Sequence, residues 1–118
     1  RRQRQMCIRD RVYTASLFVL TSDYEGMPNA LMEAMAIGVP CISTDCKPGG
    51  ARDLIKNGEN GWIVPRNDIE VLAERMTSVL SCPEQSDRMA KNALEIRRTH
   101  SSKKIFDRWE NFIIAFRD

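Results

Sequence analysis

Apolar residues fall along the chain in short runs set apart by glycine, proline and polar positions, and the spacing within each run predicts its element. Leu17-Phe18-Val19-Leu20 has the length and residue types of a buried strand. Polar and glycine positions from Ser22 to Gly26 break it, and a helix-favouring run follows to about Ile37. Pro28 sits where a first helical turn tolerates proline, because its missing N–H would have no partner there. Gly38 ends the helix as a C-terminal cap would. Val39-Pro40-Cys41-Ile42-Ser43 is a second strand, with proline near its start, where a lost N–H costs least. A loop over residues 44–50 leads to a short helix from Ala51 to Ile55, residues 56–61 turn the chain, and Trp62-Ile63-Val64 is a third strand.

Asn67-Asp68-Ile69-Glu70 resembles a capping box, with a short polar side chain capping the next helix and Glu70 reaching back. In that helix Ile69, Leu72, Met76, Val79 and Leu80 repeat at helical spacing, and Cys82-Pro83 ends it. A following helix, roughly Glu84 to Arg98, buries Met89, Ala93 and Leu94. A last one opens at Ser101 and carries Ile105, Trp109, Phe112, Ile113 and Phe116 on one face. Strands alternating with helices argue for parallel βαβ units rather than hairpins, so the fold class is α/β, a partial Rossmann-like parallel sheet with helices. No internal repeat, low-complexity linker or second domain interrupts this pattern.

Composition narrows the class. With 118 residues, 42% of them hydrophobic and 29% charged, the chain suits one small globular core and is too short for a two-lobed enzyme. No run has the length of a membrane-spanning helix, and no signal peptide is visible. A chain that begins at Arg1 rather than at Met reads as cut from something longer. The net charge of +2 hides an asymmetry: residues 1–11 carry five arginines against one aspartate, so the rest of the chain is negative. A nucleic-acid face would need basic residues spread over the folded part, so no nucleic-acid partner is expected. The basic head, residues 1–11, reads as foreign or artefactual sequence, with a tail for acidic lipid or nucleic acid as the alternative. The four cysteines, Cys7, Cys41, Cys46 and Cys82, form no Cys-x-x-Cys pair, and His100 is the single histidine. Thiols buried in a reducing compartment account for them, and a metal site is not expected.

The chemistry concentrates between the first strand and its helix. Open α/β sheets bind ligands in the crevice beyond the carboxyl ends of their strands, and Glu25 lies in the loop at such an end. Asn29 and Glu33 are four apart and share a helix face near the mouth. The loop-to-helix junction offers backbone N–H groups and a positive helix end, which suit a diphosphate. Pro28 removes one donor, leaving Asn29, Ala30 and Leu31. Gly26 lets a ligand approach the backbone. Taken alone, Glu33 is also an ordinary exposed helix glutamate, and Asn29 an ordinary early-helix residue. Asp23 and Tyr24 fit a solvated turn and a lid over the crevice. Gly49-Gly50 follow the second strand into the same mouth, where they either line the site or simply make the turn.

Glu25 and Glu33 stand inside Ser-x-x-Glu-Gly…Leu-Met-Glu-Ala-Met-Ala-x-Gly-x-Pro, with a strand before and after. This resembles the Glu-x7-Glu motif of the retaining glycosyltransferases of family 4, also called glycosyl transferases group 1. The resemblance covers about residues 12–118 and implies the C-terminal, nucleotide-sugar-binding lobe of a GT-B enzyme, less than half of a whole one. It implies that Glu33 accepts the ribose hydroxyls, that Glu25, Gly26 and Met27 contact the donor sugar, and that Glu25 serves the catalytic step. Ser-Thr-Asp-Cys-x-x-Gly-Gly-x-Arg, from Ser43 to Arg52, is similar to members that transfer hexose or N-acetylhexosamine in cell-surface polysaccharide assembly. Asp53 stands where many relatives have Glu.

The implied donor is a nucleotide-sugar, UDP-linked by expectation, and the implied acceptor is a glycan or a lipid-linked glycan. No metal or other cofactor is implied, since no Asp-x-Asp occurs. The resemblance also implies that the leaving diphosphate helps to deprotonate the acceptor, while enzyme groups position the donor and stabilise charge. The basic residues that clamp the diphosphate, and the acceptor site on the N-terminal lobe, belong upstream, so this piece is not expected to turn over alone. A cytoplasmic place at the inner face of the membrane, with peripheral association, completes the expectation. The alternatives are a nucleotide-sugar epimerase or phosphorylase on the same double fold, or a non-catalytic binding module. The aromatic stripe of the last helix supports the module or an upstream lobe as its cover, and packing on its own domain accounts for it equally well.

Overall fold

A computed structural model describes residues 11–111 apart from 13, 102, 105, 106, 108 and 109. The stripe residues Ile105, Trp109, Phe112, Ile113 and Phe116, and all of the basic head except Arg11, lie outside the described residues. In chain order the elements are β1 (Phe18–Leu20), β2 (Tyr24–Glu25), α1 (Asn29–Ile37), β3 (Cys41–Thr44), β4 (Lys47–Pro48), α2 (Gly50–Leu54), β5 (Trp62–Val64), α3 (Ile69–Ser81), α4 (Pro83–Ala93) and α5 (Ile96–Thr99).

The main sheet is parallel in the order β1-β3-β5. Register places Val19, Ile42 and Trp62 in one row and Leu20, Ser43 and Ile63 in the next. Successive side chains of a strand face opposite ways, so these rows belong to opposite faces. Phe18, Leu20, Cys41 and Ile63 pack with Leu31, Ala34 and Met35 of α1 and Leu54 of α2. Val19, Ile42, Trp62 and Val64 pack on the other face with Leu72, Met76 and Val79 of α3. Helices on both faces cover the strands, which is why β1 and β5 read as unbroken apolar runs, while β3 also buries Ser43 and Thr44. All four residues of β3, the central strand, are buried. Burial pushes the Cys41 thiol up to about 12, and its Sγ donates to the Val39 carbonyl.

The two crossovers follow from local signals. Pro28 is the N-terminal cap of α1, one residue before the helix proper, and Gly38 closes it at φ 88°, donating its N–H to Ala34 and Met35. Leu31, Ala34 and Met35 form the buried face of α1, while Asn29, Ala30 and Glu33 are exposed.

Three expectations shift. The cap of α3 is Asp68, whose carboxylate accepts from the Val71 N–H, with Asn67 left-handed at φ 61°. Glu70 therefore occupies the second helical position instead of the third, where the reach-back bond of a capping box is made. The buried face of α3 is also turned, by about 50° of helix rotation. Ile69 is 79% and Leu80 55% exposed, while Val71 joins Leu72, Met76 and Val79 against the sheet. Arg75 accompanies them, with its guanidinium 3.9 Å from the centre of the Trp62 ring, an attraction between a cation and a π face. Finally, the helix expected over 84–98 is two helices. The break at Leu94–Glu95 lets Ile96 bury and Arg97 Nε donate to the Ala36 carbonyl, which docks α5 on the end of α1.

Candidate functional site

β1 delivers the chain to the carboxyl edge of the sheet, and the next seven residues are held there from several sides. Thr44, the last residue of β3, donates its hydroxyl to the Ser22 carbonyl at 2.6 Å. Ser22 donates its own hydroxyl to Oε1 of Glu25 at 3.1 Å. Arg66, beyond β5, donates to the Asp23 carbonyl at 3.3 Å. Tyr24 and Glu25 form β2 and pair in parallel with Lys47 and Pro48 of β4, so the two βα loops make a second, two-stranded sheet over the edge.

Gly50 completes the contact. A Cβ there would lie 1.8 Å from the Gly26 carbonyl oxygen and 3.0 Å from Pro28 Cδ, so only a hydrogen fits. Gly50 is buried, and the residue's identity is set by its packing on the first loop. Gly49 caps α2 at φ 105° with open space around its Cα. Of the two glycines read as lining residues, Gly49 borders a cavity of about 580 Å³ with Asp45, Lys47, Arg52 and Arg66, and Gly50 braces Gly26. The Asp45 carboxylate takes a hydrogen bond from Arg52 and holds that guanidinium further above its ordinary range.

Past this brace the helix begins. The first intrahelical bond of α1 runs from the Met32 N–H to the Pro28 carbonyl, at 3.1 Å. Pro28 provides no side-chain cap, so the amides of Asn29, Ala30 and Leu31 precede that bond with no acceptor among the described residues. Three N–H dipoles at a helix start form a positive, donor-rich end suited to an anion. Asn29 and Ala30 are exposed, while Leu31 is fully buried, backbone and side chain alike. Glu25 is half-buried, Gly26 and Met27 are exposed, and Tyr24 is 75% exposed. Glu33 lies one turn along α1 from Asn29, on the same exposed face.

The structure thus groups Glu25, Gly26 and Gly50 at the loop contact, and Asn29, Ala30 and Glu33 on the outer side of α1. Sequence reasoning gave no role to the hydroxyls of Ser22 and Thr44. A period of two would have marked Thr44 as special had one face of β3 been polar, and burial on both faces removes that signal.

The family model described as Glycosyl transferases group 1 matches residues 6–96. Over 68 residues the chain is 46% identical to the putative colanic acid biosynthesis glycosyltransferase WcaL of Salmonella typhimurium, a match covering 52% of this chain and 16% of the relative. Among solved structures, the apo form of the lipopolysaccharide outer core galactosyltransferase WaaB superposes with a TM-score of 0.80 at 27% identity, over 98% of this chain and 31% of that one. Anabaena Alr3699/HepE in complex with UDP superposes with a TM-score of 0.81 over 88% of this chain and 29% of that one; at 21% identity this likeness concerns the fold alone. The fold is that of the Rossmann-like α/β lobe of GT-B glycosyltransferases. The chain spans less than a third of the length of the curated relatives it matches.

Proposed function

Because the chain belongs to the glycosyl transferases of group 1, we propose that residues 12–118 are the donor-binding lobe of a retaining, family 4 glycosyltransferase. The enzyme transfers a hexose or N-acetylhexosamine from a UDP-sugar to a glycan or lipid-linked acceptor in cell-surface polysaccharide synthesis. WcaL and WaaB, whose names place them in colanic acid and lipopolysaccharide outer core synthesis, support that setting. The uncapped start of α1 carries the reading: three amides without an acceptor among the described residues open the helix just after the braced loop that holds the half-buried carboxylate of Glu25.

In this reading the amides of Asn29, Ala30 and Leu31 bind the donor diphosphate, and Glu33 accepts the ribose hydroxyls. Glu25, with the backbone of Gly26 and Met27, orients the sugar. The bond from the anomeric carbon to the diphosphate breaks, the acceptor oxygen bonds to the same face, and the acceptor proton passes to the leaving diphosphate. Donors aimed at that growing charge lower the barrier without moving during the reaction. An upstream lobe contributes the basic clamp and the acceptor site. The reaction uses no metal or other cofactor, and the enzyme works in the cytoplasm at the inner face of the membrane.

Calorimetric titration of the chain and of Glu33→Ala with UDP, GDP and ADP tests the donor site. Binding of one nucleotide is expected, weakened about tenfold or more in Glu33→Ala, as the loss of a charge-assisted hydrogen bond requires. Equal binding by both proteins refutes the ribose role. Silence with all three, persisting after the upstream half of the enzyme is added, refutes the donor site.

A further inference from the structure

We propose that the Thr44 hydroxyl, acting through Ser22, is the positioning group that presents Glu25 to the donor sugar, an inference that rests on the donor reading above. Thr44 is 6% exposed at the end of the central strand, where the register pairs it with Val64 of β5. Its hydroxyl has one proton and two carbonyls within reach, Ser22 at 2.6 Å and Leu20 at 3.4 Å, so the bond to Ser22 is the one made. That bond sets the Ser22 peptide against the rigid sheet. The Ser22 hydroxyl then selects one rotamer of a glutamate that has three side-chain torsions, by donating to Oε1 at 3.1 Å.

Among the described residues, Oε2 of Glu25 takes no protein donor, so one oxygen anchors the carboxylate and the other remains for a substrate hydroxyl. The chain of contacts runs from buried strand to loop carbonyl to loop hydroxyl to carboxylate. Thr44 lies on the central strand and Ser22 and Glu25 on the first loop, which the second loop braces where β4 pairs with β2 and Gly50 abuts Gly26. The second βα loop is therefore supporting structure for the first, and a group that must sit within about 0.5 Å of its working position needs such support.

The test compares the parent chain with Thr44→Val, Thr44→Ser and Ser22→Ala, each with ¹³C in the glutamate side-chain carboxyls. Valine keeps the shape of threonine and loses the donor, while serine keeps the donor. The Glu25 carboxyl resonance is expected to move in Thr44→Val towards its position in Ser22→Ala, and to return in Thr44→Ser. Titration with UDP and UDP-glucose adds a functional readout. Thr44→Val and Ser22→Ala should each weaken UDP-glucose binding about tenfold and leave UDP binding unchanged, because one hydrogen bond's worth of orientation is lost at the sugar alone.

A Glu25 resonance that stays at the parent position in Thr44→Val, while Ser22→Ala moves it, overturns the proposal. Equal losses for UDP and UDP-glucose also overturn it, since they mark a general loosening of the loop. If Thr44→Val does not fold, Thr44→Ala takes its place, since alanine also lacks the donor, and Thr44→Ser remains the rescue. If the parent binds neither ligand even with the upstream half present, the donor reading fails. The resonance then still decides whether Thr44 orients Glu25.

Discussion

Replacing Gly50 with alanine adds one methyl group where the two βα loops meet. Built on the native backbone, that methyl lies 1.8 Å from the Gly26 oxygen, 2.9 Å from the Gly26 carbon and 3.0 Å from Pro28 Cδ. Carbon and oxygen do not approach within about 3 Å without bonding, so the backbones must part by more than 1 Å, roughly. Neither neighbour is the end of a flexible side chain. Gly26 is tied to β2, and Pro28 is buried at the start of α1. Overpacking of this kind costs about 1–3 kcal/mol, which in a chain of this size lowers Tm by about 4–20 °C.

Gly26→Ala is the control on the other side of the same contact. A methyl there meets nothing within 4 Å, so its effect should stay within about 0.5 kcal/mol. Thermal and urea unfolding of the two variants against the parent measure the contrast, and amide spectra report where the loop moves. Gly50→Ala should melt lower and shift the resonances of Tyr24 to Met27, and Gly26→Ala should melt with the parent. A Gly50→Ala protein that melts with the parent and leaves the Gly26 amide unmoved would refute the brace between the loops.

Other perturbations separate local from tertiary causes. Burial raises the Cys41 thiol from 9.0 to about 12, so the folded chain keeps a proton that the unfolded chain releases. This contribution is intact below pH 9.0 and is lost as pH rises towards 12. The stability advantage of the parent over Cys41→Ala should therefore shrink by about 1.4 kcal/mol between about pH 8 and about pH 10 in urea melts, and a constant difference refutes it. Asp68→Ala removes the cap of α3 and should cost about 1 kcal/mol by urea unfolding, whereas Asn67→Ala tests strain alone at a left-handed position. Val79→Ala should cost about 1–3 kcal/mol, since Val79 is buried on the sheet, while Ile69→Gln stays within about 0.5 kcal/mol. Equal costs for the last two would return the buried face of α3 to the orientation that simple periodicity suggests.

The primary structure alone specifies whatever is decided within a turn or two of chain. The short runs at Phe18–Leu20, Cys41–Thr44 and Trp62–Val64 become the sheet because they carry no charged residue and pack on both faces, with Ser43 and Thr44 the polar positions of β3. Pro28 and Gly38 bound α1 because one lacks a donor and the other accepts a positive φ. Glu25 and Glu33 are legible as a pair for the same reason, since their motif spans a single strand–loop–helix unit. What escapes local reading is every contact whose partners are far apart in the chain. Thr44 and Ser22 are 22 residues apart, and no propensity at either position announces their bond.

The pairing of β2 with β4 has the same origin: two residues on each side carry too little pattern to declare a strand, and the sheet edge beneath brings them together. The turned face of α3 and the break before α5 likewise depend on what each helix meets, Trp62 in one case and the carbonyl of Ala36 in the other. Sequence thus decides which residues face the crevice. The tertiary structure decides how firmly Glu25 is held there, because that hold comes from a neighbouring strand.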